Sequence, residues 1–191
     1  GPVRRRVLLA PLVDWLSEDW GSEWLASLMH LIRSTPQIDW LLQTRGAADW
    51  RARLDAARSY CWAGDPEEID VRLQAAAEFI DQWLCGEAPP NAWVGAPIAT
   101  QEEADSAIPD LLAIPARVRF VNLDSMRGEI TLNGHEYTNA AGLGEGIDWL
   151  TGRTSDDELE HRRPDLDQVS VLEGDRGPNA FSIHKGPIRA A

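Results

Sequence analysis

The sequence predicts an α/β fold in which strands alternate with helices along most of the chain. Short apolar runs that end at proline, glycine or polar residues recur along the sequence, and segments with apolar residues at helical spacing lie between them. The composition agrees, because 43% of the 191 residues are hydrophobic, which is enough to build a core. Strands that alternate with helices favour crossover connections, and these connections produce parallel sheets.

Four segments are predicted to be strands of this sheet. The first is a continuous apolar run of the kind found in strands that are covered on both faces, and the fourth alternates between apolar and polar residues. Pro11 is expected to end the first run, because proline donates no hydrogen bond to a sheet. The predicted strands are residues 4–12, 38–44, 93–99 and 117–123.

Helices are predicted between these strands and near residue 160. Ser22 is the predicted N-cap of the first helix, and Thr100, followed by Glu103 three residues later, is the predicted N-cap of another. Pro109 is expected to break or kink that later helix. The predicted helices cover residues 22–35, 47–62, 65–85, 100–112 and 154–163.

The clearest local signal for a helix start is the run Asp65-Pro66-Glu67-Glu68. Asp65 is the predicted N-cap, Pro66 occupies the first helical position, and Glu68 has the spacing of a capping box. Gly86 is the predicted end of this helix.

Together these elements predict a three-layer, Rossmann-like arrangement around a mostly parallel sheet. The turn pair Asn133-Gly134 and apolar runs at 169–172 and 181–184 predict an antiparallel C-terminal hairpin extension. The alternative is an α+β fold with a helical N-terminal half and a small C-terminal sheet. We expect one acidic domain over residues 3–191, with an optional division after residue 125, and Gly1-Pro2 matches a protease scar outside the fold.

The charge balance narrows the classes of partner. The formal net charge is −13, and such a surface repels phosphate backbones, so nucleic acid is not an expected partner. A basic protein surface is the expected partner, although acidity also serves plain solubility. No apolar stretch reaches the roughly 18 residues that a membrane span needs. A cytoplasmic location without membrane contact is therefore predicted, and the oligomeric state is left open.

The sequence contains no motif for a metal site, a cofactor site or a catalytic site. Cys61 and Cys85 lie in predicted helices and are expected to be two buried thiols in a reducing compartment. A cysteine hydrolase would need a base beside the thiolate, and no local signal marks one. Histidines with metal-ligand spacing, a GxSxG elbow and a phosphate-binding loop are also missing. No metal and no cofactor are predicted, and whether the chain is an enzyme is left open, with a non-catalytic role favoured.

Tryptophan is unusually frequent, with nine residues in the chain, about three times average usage. Two interpretations are open: the rings fill the core, or one or two of them lie exposed in a binding surface, where tryptophan is enriched. Trp15, Trp20 and Trp93 are the candidates for exposure, because they lie beside residues that break regular structure.

Polar residues at the predicted strand ends form a second candidate site. In open parallel sheets, ligands bind beyond the carboxyl ends of the strands. Carboxylates, hydroxyls and a guanidinium there would suit a sugar, a nucleoside or a peptide backbone, although ordinary loop polarity is the alternative. The residues are Asp14, Ser17, Thr44, Arg45, Thr100, Asn122, Asp124 and Ser125.

Three functions are consistent with these features. The first is a non-catalytic acidic binding module of regulatory, inhibitor or immunity type, which docks a basic protein through its tryptophans and through Asp156, Asp157 and Glu158. The second is a small α/β enzyme or sensor for a nucleotide or sugar at the strand ends. The third is an inhibitor that mimics DNA.

Overall fold

The computed structural model describes most of the first two thirds of the chain and several strands of the last third. The described residues are 5–9, 14–63, 70–124, 127–128, 130, 132, 135–138, 144–148, 153–154, 168–172 and 182–184. They belong to two compact units: Gly1–Gly95 with Ile114–Arg117, and Ala96–Ala113 with Val118–Ala191.

The first unit contains parallel strands joined by helical crossovers. Strand β1 is Arg5–Leu8, β2 is Ile38–Gln43, and β3 is Ala92–Ile98, of which the residues up to Gly95 belong to this unit. β2 pairs in parallel with both β1 and β3. The first three strands predicted from apolar runs are therefore confirmed.

Helices α1 (Ser22–Ser34), α2 (Trp50–Cys61) and α3 (Val71–Leu84) form the crossovers and pack against one another. A short 3₁₀ turn, Ala47–Asp49, precedes α2. These helices were predicted by the helical spacing of apolar residues, and Leu25, Leu54 and Ile80 are among those that are fully buried.

The helix caps differ from the predicted ones at two positions. The N-cap of α1 is Gly21, which has no side chain to accept a hydrogen bond, so the prediction of Ser22 is wrong by one residue. The N-cap of α3 is Asp70, whose carboxylate accepts the backbone N–H of Arg72 at 2.8 Å. The predicted cap Asp65 lies outside the described residues, and the described helix begins five residues after Pro66, at Val71.

An aromatic cluster forms the centre of the helical layer in the first unit. Trp83 stacks on Trp15 at 5.8 Å between ring centroids, and both rings are 0% exposed. Trp50 and Phe79 each lie 6.4 Å from Trp83. The indole N–H of Trp83 donates to the carbonyl of Pro115 at 2.6 Å, so this polar atom is satisfied within the core.

The second unit combines one helix with strands in parallel and antiparallel pairs. The elements are α4 (Gln101–Ala113), β4 (Val118–Asp124), β5 (His135–Thr138), β6 (Gly144–Asp148), β7 (Arg153–Thr154), β8 (Gln168–Leu172) and β9 (Ser182–His184). β4 pairs in parallel with β8, and β8 pairs antiparallel with β9. β5, β6 and β7 form an antiparallel sheet.

Helix α4 begins as predicted and continues through its proline. The hydroxyl of Thr100 accepts the N–H of Glu103 at 3.2 Å, and the carboxylate of Glu103 accepts the N–H of Ala99 at 2.7 Å. Pro109 lies inside the helix, so the predicted break is wrong. Proline removes one helical hydrogen bond and its ring crowds the carbonyl of the preceding turn, but buried side chains on both sides of it, Ile108 and Leu111, hold the helix in place.

The chain therefore has the predicted mixed α/β class with parallel strands. The form of the antiparallel C-terminal extension and the predicted helix at 154–163 stay predictions, because much of that region lies outside the described residues. In the part of the chain that is described, no helix has the length and apolar character to cross a membrane.

Candidate functional site

The predicted ligand residues of the first unit hold two loops together. One carboxylate oxygen of Asp14 accepts the N–H of Arg45 at 2.7 Å, and the other accepts the N–H of Leu16 at 3.0 Å. The hydroxyl of Thr44, which is 1% exposed, accepts the N–H of Gly46 at 2.9 Å. The side-chain oxygens of Asp14 and Thr44 therefore accept hydrogen bonds from the chain's own backbone. Arg45 is the exposed residue among these predicted ligand residues.

Arg53 fixes the loop that follows Asp14. Its guanidinium donates to the carbonyls of Leu16 at 3.1 Å and Ser17 at 2.9 Å, and also to the carbonyl of Trp20. Three backbone acceptors from one loop therefore share a single rigid donor group.

The other predicted ligand residues lie in the second unit. Thr100 caps α4, and Asn122 is 6% exposed within β4. Asp124 is the last residue of β4, and Ser125 lies outside the described residues. The predicted set thus divides into one group in each unit.

Two of the three tryptophans that were candidates for exposure are buried. Trp15 is 0% exposed beneath Trp83, and Trp93 is 8% exposed with the guanidinium of Arg6 4.5 Å from its ring centroid. These positions correct the prediction, because stacking leaves neither ring as an open surface. Trp20 is half-buried, which is compatible with contact to a partner.

Trp20 belongs to a surface that combines indole rings with carboxylates. It stacks on Trp24 at 5.0 Å between centroids with 25° between the ring planes, and Trp24 is also half-buried. Glu18, Asp19 and Glu23 are exposed beside this pair in the sequence. We call these five residues the acidic tryptophan surface.

Local backbone geometry explains how this surface forms. Successive turns bring the N–H of Ser17 to the carbonyl of Asp14 and the N–H of Trp20 to the carbonyl of Ser17. Gly21 then starts α1 in an extended conformation and accepts the N–H of Trp24 at 3.1 Å. Trp20 directly precedes the N-cap Gly21 and Trp24 lies in the first turn of α1, so the two rings meet across the helix start in a contact similar to a hydrophobic staple.

The carboxylates of the acidic tryptophan surface have little internal compensation. Among the described residues, Glu18 and Glu23 take part in no ion pair, and Asp19 accepts only the hydroxyl of Ser17, at 3.0 Å. Arg53 contacts this segment through carbonyl oxygens. Exposed carboxylates beside aromatic rings attract cations, because both the charge and the negative ring face favour them.

A second polar arrangement lies on one face of the first-unit sheet. In the register of the three strands, Arg6 lies opposite Asp39, Leu41 opposite Trp93, and Gln43 opposite Gly95. These residues therefore share one face of the sheet. The opposite face is turned to α1, because the indole of Trp40 donates to Thr35 at the end of that helix.

Asp39 and Gln43 were not among the residues predicted to form a site, although their pattern in the sequence could have indicated one. They are the polar residues of the strand IDWLLQ, and their even spacing places both on the same face of the sheet. They are 6% and 9% exposed, beside Arg6 and Trp93. A carboxylate, a carboxamide, a guanidinium and an indole on one sheet face could bind a polar ligand.

The two cysteines have different surroundings. Cys61 is 1% exposed, and burial raises the pKa of its thiol above the ordinary value because desolvation penalises the thiolate. Cys85 is exposed, which corrects the expectation that both thiols are buried. Within the described residues, no group of three or more His, Cys, Asp or Glu side chains is arranged to hold a metal ion.

Fold and site define a mixed α/β protein with parallel strands and an exposed acidic surface that includes tryptophan. The chain belongs to the family described as "Protein of unknown function (DUF5131)", whose model matches residues 2–183. Comparisons with curated proteins and with solved structures give no match.

Proposed function

We propose that the chain is a non-catalytic binding protein of regulatory or inhibitor type that docks a basic partner protein. The acidic tryptophan surface carries this proposal, because it joins half-buried indole rings to exposed carboxylates that have no ion pair among the described residues. Tryptophan supplies contact area in interfaces, and complementary charge supplies specificity and speeds association.

The use of arginine elsewhere in the first unit supports the proposal. Arg58 pairs with Asp55 at 2.9 Å and with Asp81 at 3.1 Å, and Arg33 pairs with Glu78 at 3.1 Å. These cations already serve contacts within the chain. Glu18, Asp19 and Glu23 have no ion pair among the described residues, so their charge is available to a cation from a partner.

The test neutralises two carboxylates of the surface, with one matched control variant that also carries two substitutions. Calorimetry measures the affinity of a basic peptide of alternating arginine and lysine for the wild type and for Glu18→Gln/Glu23→Gln. Exposed ion pairs contribute about 0.2–1 kcal/mol each, so we expect binding to weaken about 2- to 30-fold at low salt. The control Glu87→Gln/Glu102→Gln removes the same charge from a loop and from the first turn of α4.

Salt dependence completes this test. Affinity of the wild type is expected to fall as ionic strength rises from about 0.01 M to 0.15 M, where the Debye length shortens from about 30 Å to 8 Å. Equal losses in the Glu18/Glu23 variant and in the control would contradict the site. Absence of binding to the peptide at the lowest salt would contradict the docking function. Asp156, Asp157 and Glu158, which lie outside the described residues, are the next carboxylates to neutralise.

A second candidate function is recognition of a small polar ligand, a nucleotide or a sugar, by an enzyme or sensor. The polar sheet face with Asp39, Gln43, Arg6 and Trp93 favours it. The carboxylate and carboxamide can bind hydroxyls, and the exposed guanidinium of Arg6, which lies over the ring of Trp93, can bind a phosphate.

Thermal unfolding with adenosine monophosphate and with glucose tests this second function. A ligand present at 100 times its dissociation constant stabilises the protein by about 2.7 kcal/mol, which raises the Tm by several degrees. We expect Asp39→Asn to reduce the shift and Asp49→Asn, an exposed residue of another element, to leave it unchanged. An unchanged Tm of the wild type with both compounds would contradict this function for the two ligand classes that they represent.

A further inference from the structure

We infer that the acidic tryptophan surface selects arginine over lysine in its partner, an inference that rests on the proposed docking function. The first observation is the way this chain already pairs its own indole rings. The guanidinium of Arg6 lies 4.5 Å from the centroid of Trp93, and that of Arg51 lies 5.0 Å from the centroid of Trp50. Indole rings of this protein are thus covered by guanidinium groups at two separate places.

The stacked pair at the start of α1 differs from those two rings. Trp20 and Trp24 are both half-buried, and in the described part of the chain no cation lies over either ring. Their stacking at 5.0 Å with 25° between planes makes one indole surface from two side chains. A planar cation from a partner can stack against this surface in the way that Arg6 stacks on Trp93.

The neighbouring carboxylates favour the same cation. A guanidinium is planar, is weakly hydrated and presents its donors in a fixed fork that matches a carboxylate, whereas the ammonium of lysine is compact and strongly hydrated. One arginine can therefore stack on an indole while its edge donates to Glu18, Asp19 or Glu23, which are exposed beside the rings in the sequence. Lysine gains the charge attraction but loses the stacking and the paired hydrogen bonds.

The charged groups near the stacked pair are compatible with this arrangement. Arg53 is the described cation bonded to this segment, and its donors are directed to the carbonyls of Leu16, Ser17 and Trp20. Glu23 also lies in the first turn of α1, where a carboxylate stabilises the helix. Glu102 has the corresponding place in α4, so it is the control for that helical effect.

The experiment compares two peptides that are identical except that every cation is arginine in one and lysine in the other. Affinities are measured by calorimetry for the wild type, for Trp20→Leu, for Trp24→Leu and for Trp62→Leu. Leucine keeps an apolar side chain and removes the aromatic face, and Trp62 is a control because it is 44% exposed on another element. Circular dichroism and the Tm of each variant establish that it is folded.

We expect the wild type to bind the arginine peptide about 2- to 30-fold more tightly, because cation–π contacts contribute about 0.5–2 kcal/mol. This preference should fall towards one in whichever of Trp20→Leu and Trp24→Leu is folded, and should persist in Trp62→Leu. Equal affinity of the wild type for both peptides overturns the arginine preference while the docking function stands. A preference that survives in both Trp20→Leu and Trp24→Leu also overturns it, and binding of neither peptide overturns the docking function itself.

Discussion

Replacing Trp83 with alanine should cause the largest loss of stability of any substitution proposed for this chain. The ring is fully buried and contacts three other aromatic rings, those of Trp15, Trp50 and Phe79. Loss of a buried aromatic side chain costs about 3–5 kcal/mol, against a total stability of about 5–15 kcal/mol for a typical protein. The free energy of unfolding from urea denaturation measures this effect.

Two further variants serve as comparisons for Trp83→Ala. Trp83→Phe keeps most of the ring packing but removes the hydrogen bond to Pro115, so an intermediate loss is expected. Trp62→Ala, at a 44% exposed ring, should change stability by less than about 1 kcal/mol. A Trp83→Ala variant with nearly wild-type stability would show that the aromatic cluster is not the centre of the core.

Replacing Arg53 with alanine should disorganise the loop that carries Glu18, Asp19 and Trp20. The substitution removes donors from three backbone carbonyls, and a hydrogen bond that involves a charged group contributes about 1.5–3 kcal/mol. Because such contributions are not additive, we expect a total loss of about 2–4 kcal/mol. The affinity for the basic peptide should fall as well, since the loop forms part of the acidic tryptophan surface.

The conservative variant separates charge from geometry at this position. Arg53→Lys keeps the positive charge but lacks the fork that reaches three carbonyls, so most of the stability loss should remain. Arg72→Ala is the matched control, because its side chain is exposed at the start of α3. Full recovery by lysine would mean that charge alone holds this loop.

The types of the elements were predictable because they depend on local patterns. Apolar runs such as that of β2 and helical spacing such as that of α1 identified strands and helices in their correct order. The cap at Asp70 was not predictable, because the run at Asp65 offers a stronger local signal. The predicted break at Pro109 was wrong because burial of its neighbours outweighs the lost hydrogen bond.

The candidate site was less predictable because its contacts are distant in sequence. Asp14 accepts the N–H of Arg45, 31 residues away, so a residue that was predicted to bind a ligand also joins two loops. Trp15 is buried by Trp83, a residue of a much later helix. Trp20 differs because its partner Trp24 is only four residues away, on the other side of the helix start, so two tryptophans that flank a predicted N-cap could have identified the pair.

The indole N–H resonances of the nine tryptophans offer the most direct test of the docking surface. In an NMR titration with the arginine peptide, we expect progressive shifts of the Trp20 and Trp24 signals, assigned through Trp→Phe variants. The signals of Trp50 and Trp83, which lie in the core, should stay in place. Stationary Trp20 and Trp24 signals at saturating peptide would contradict the account.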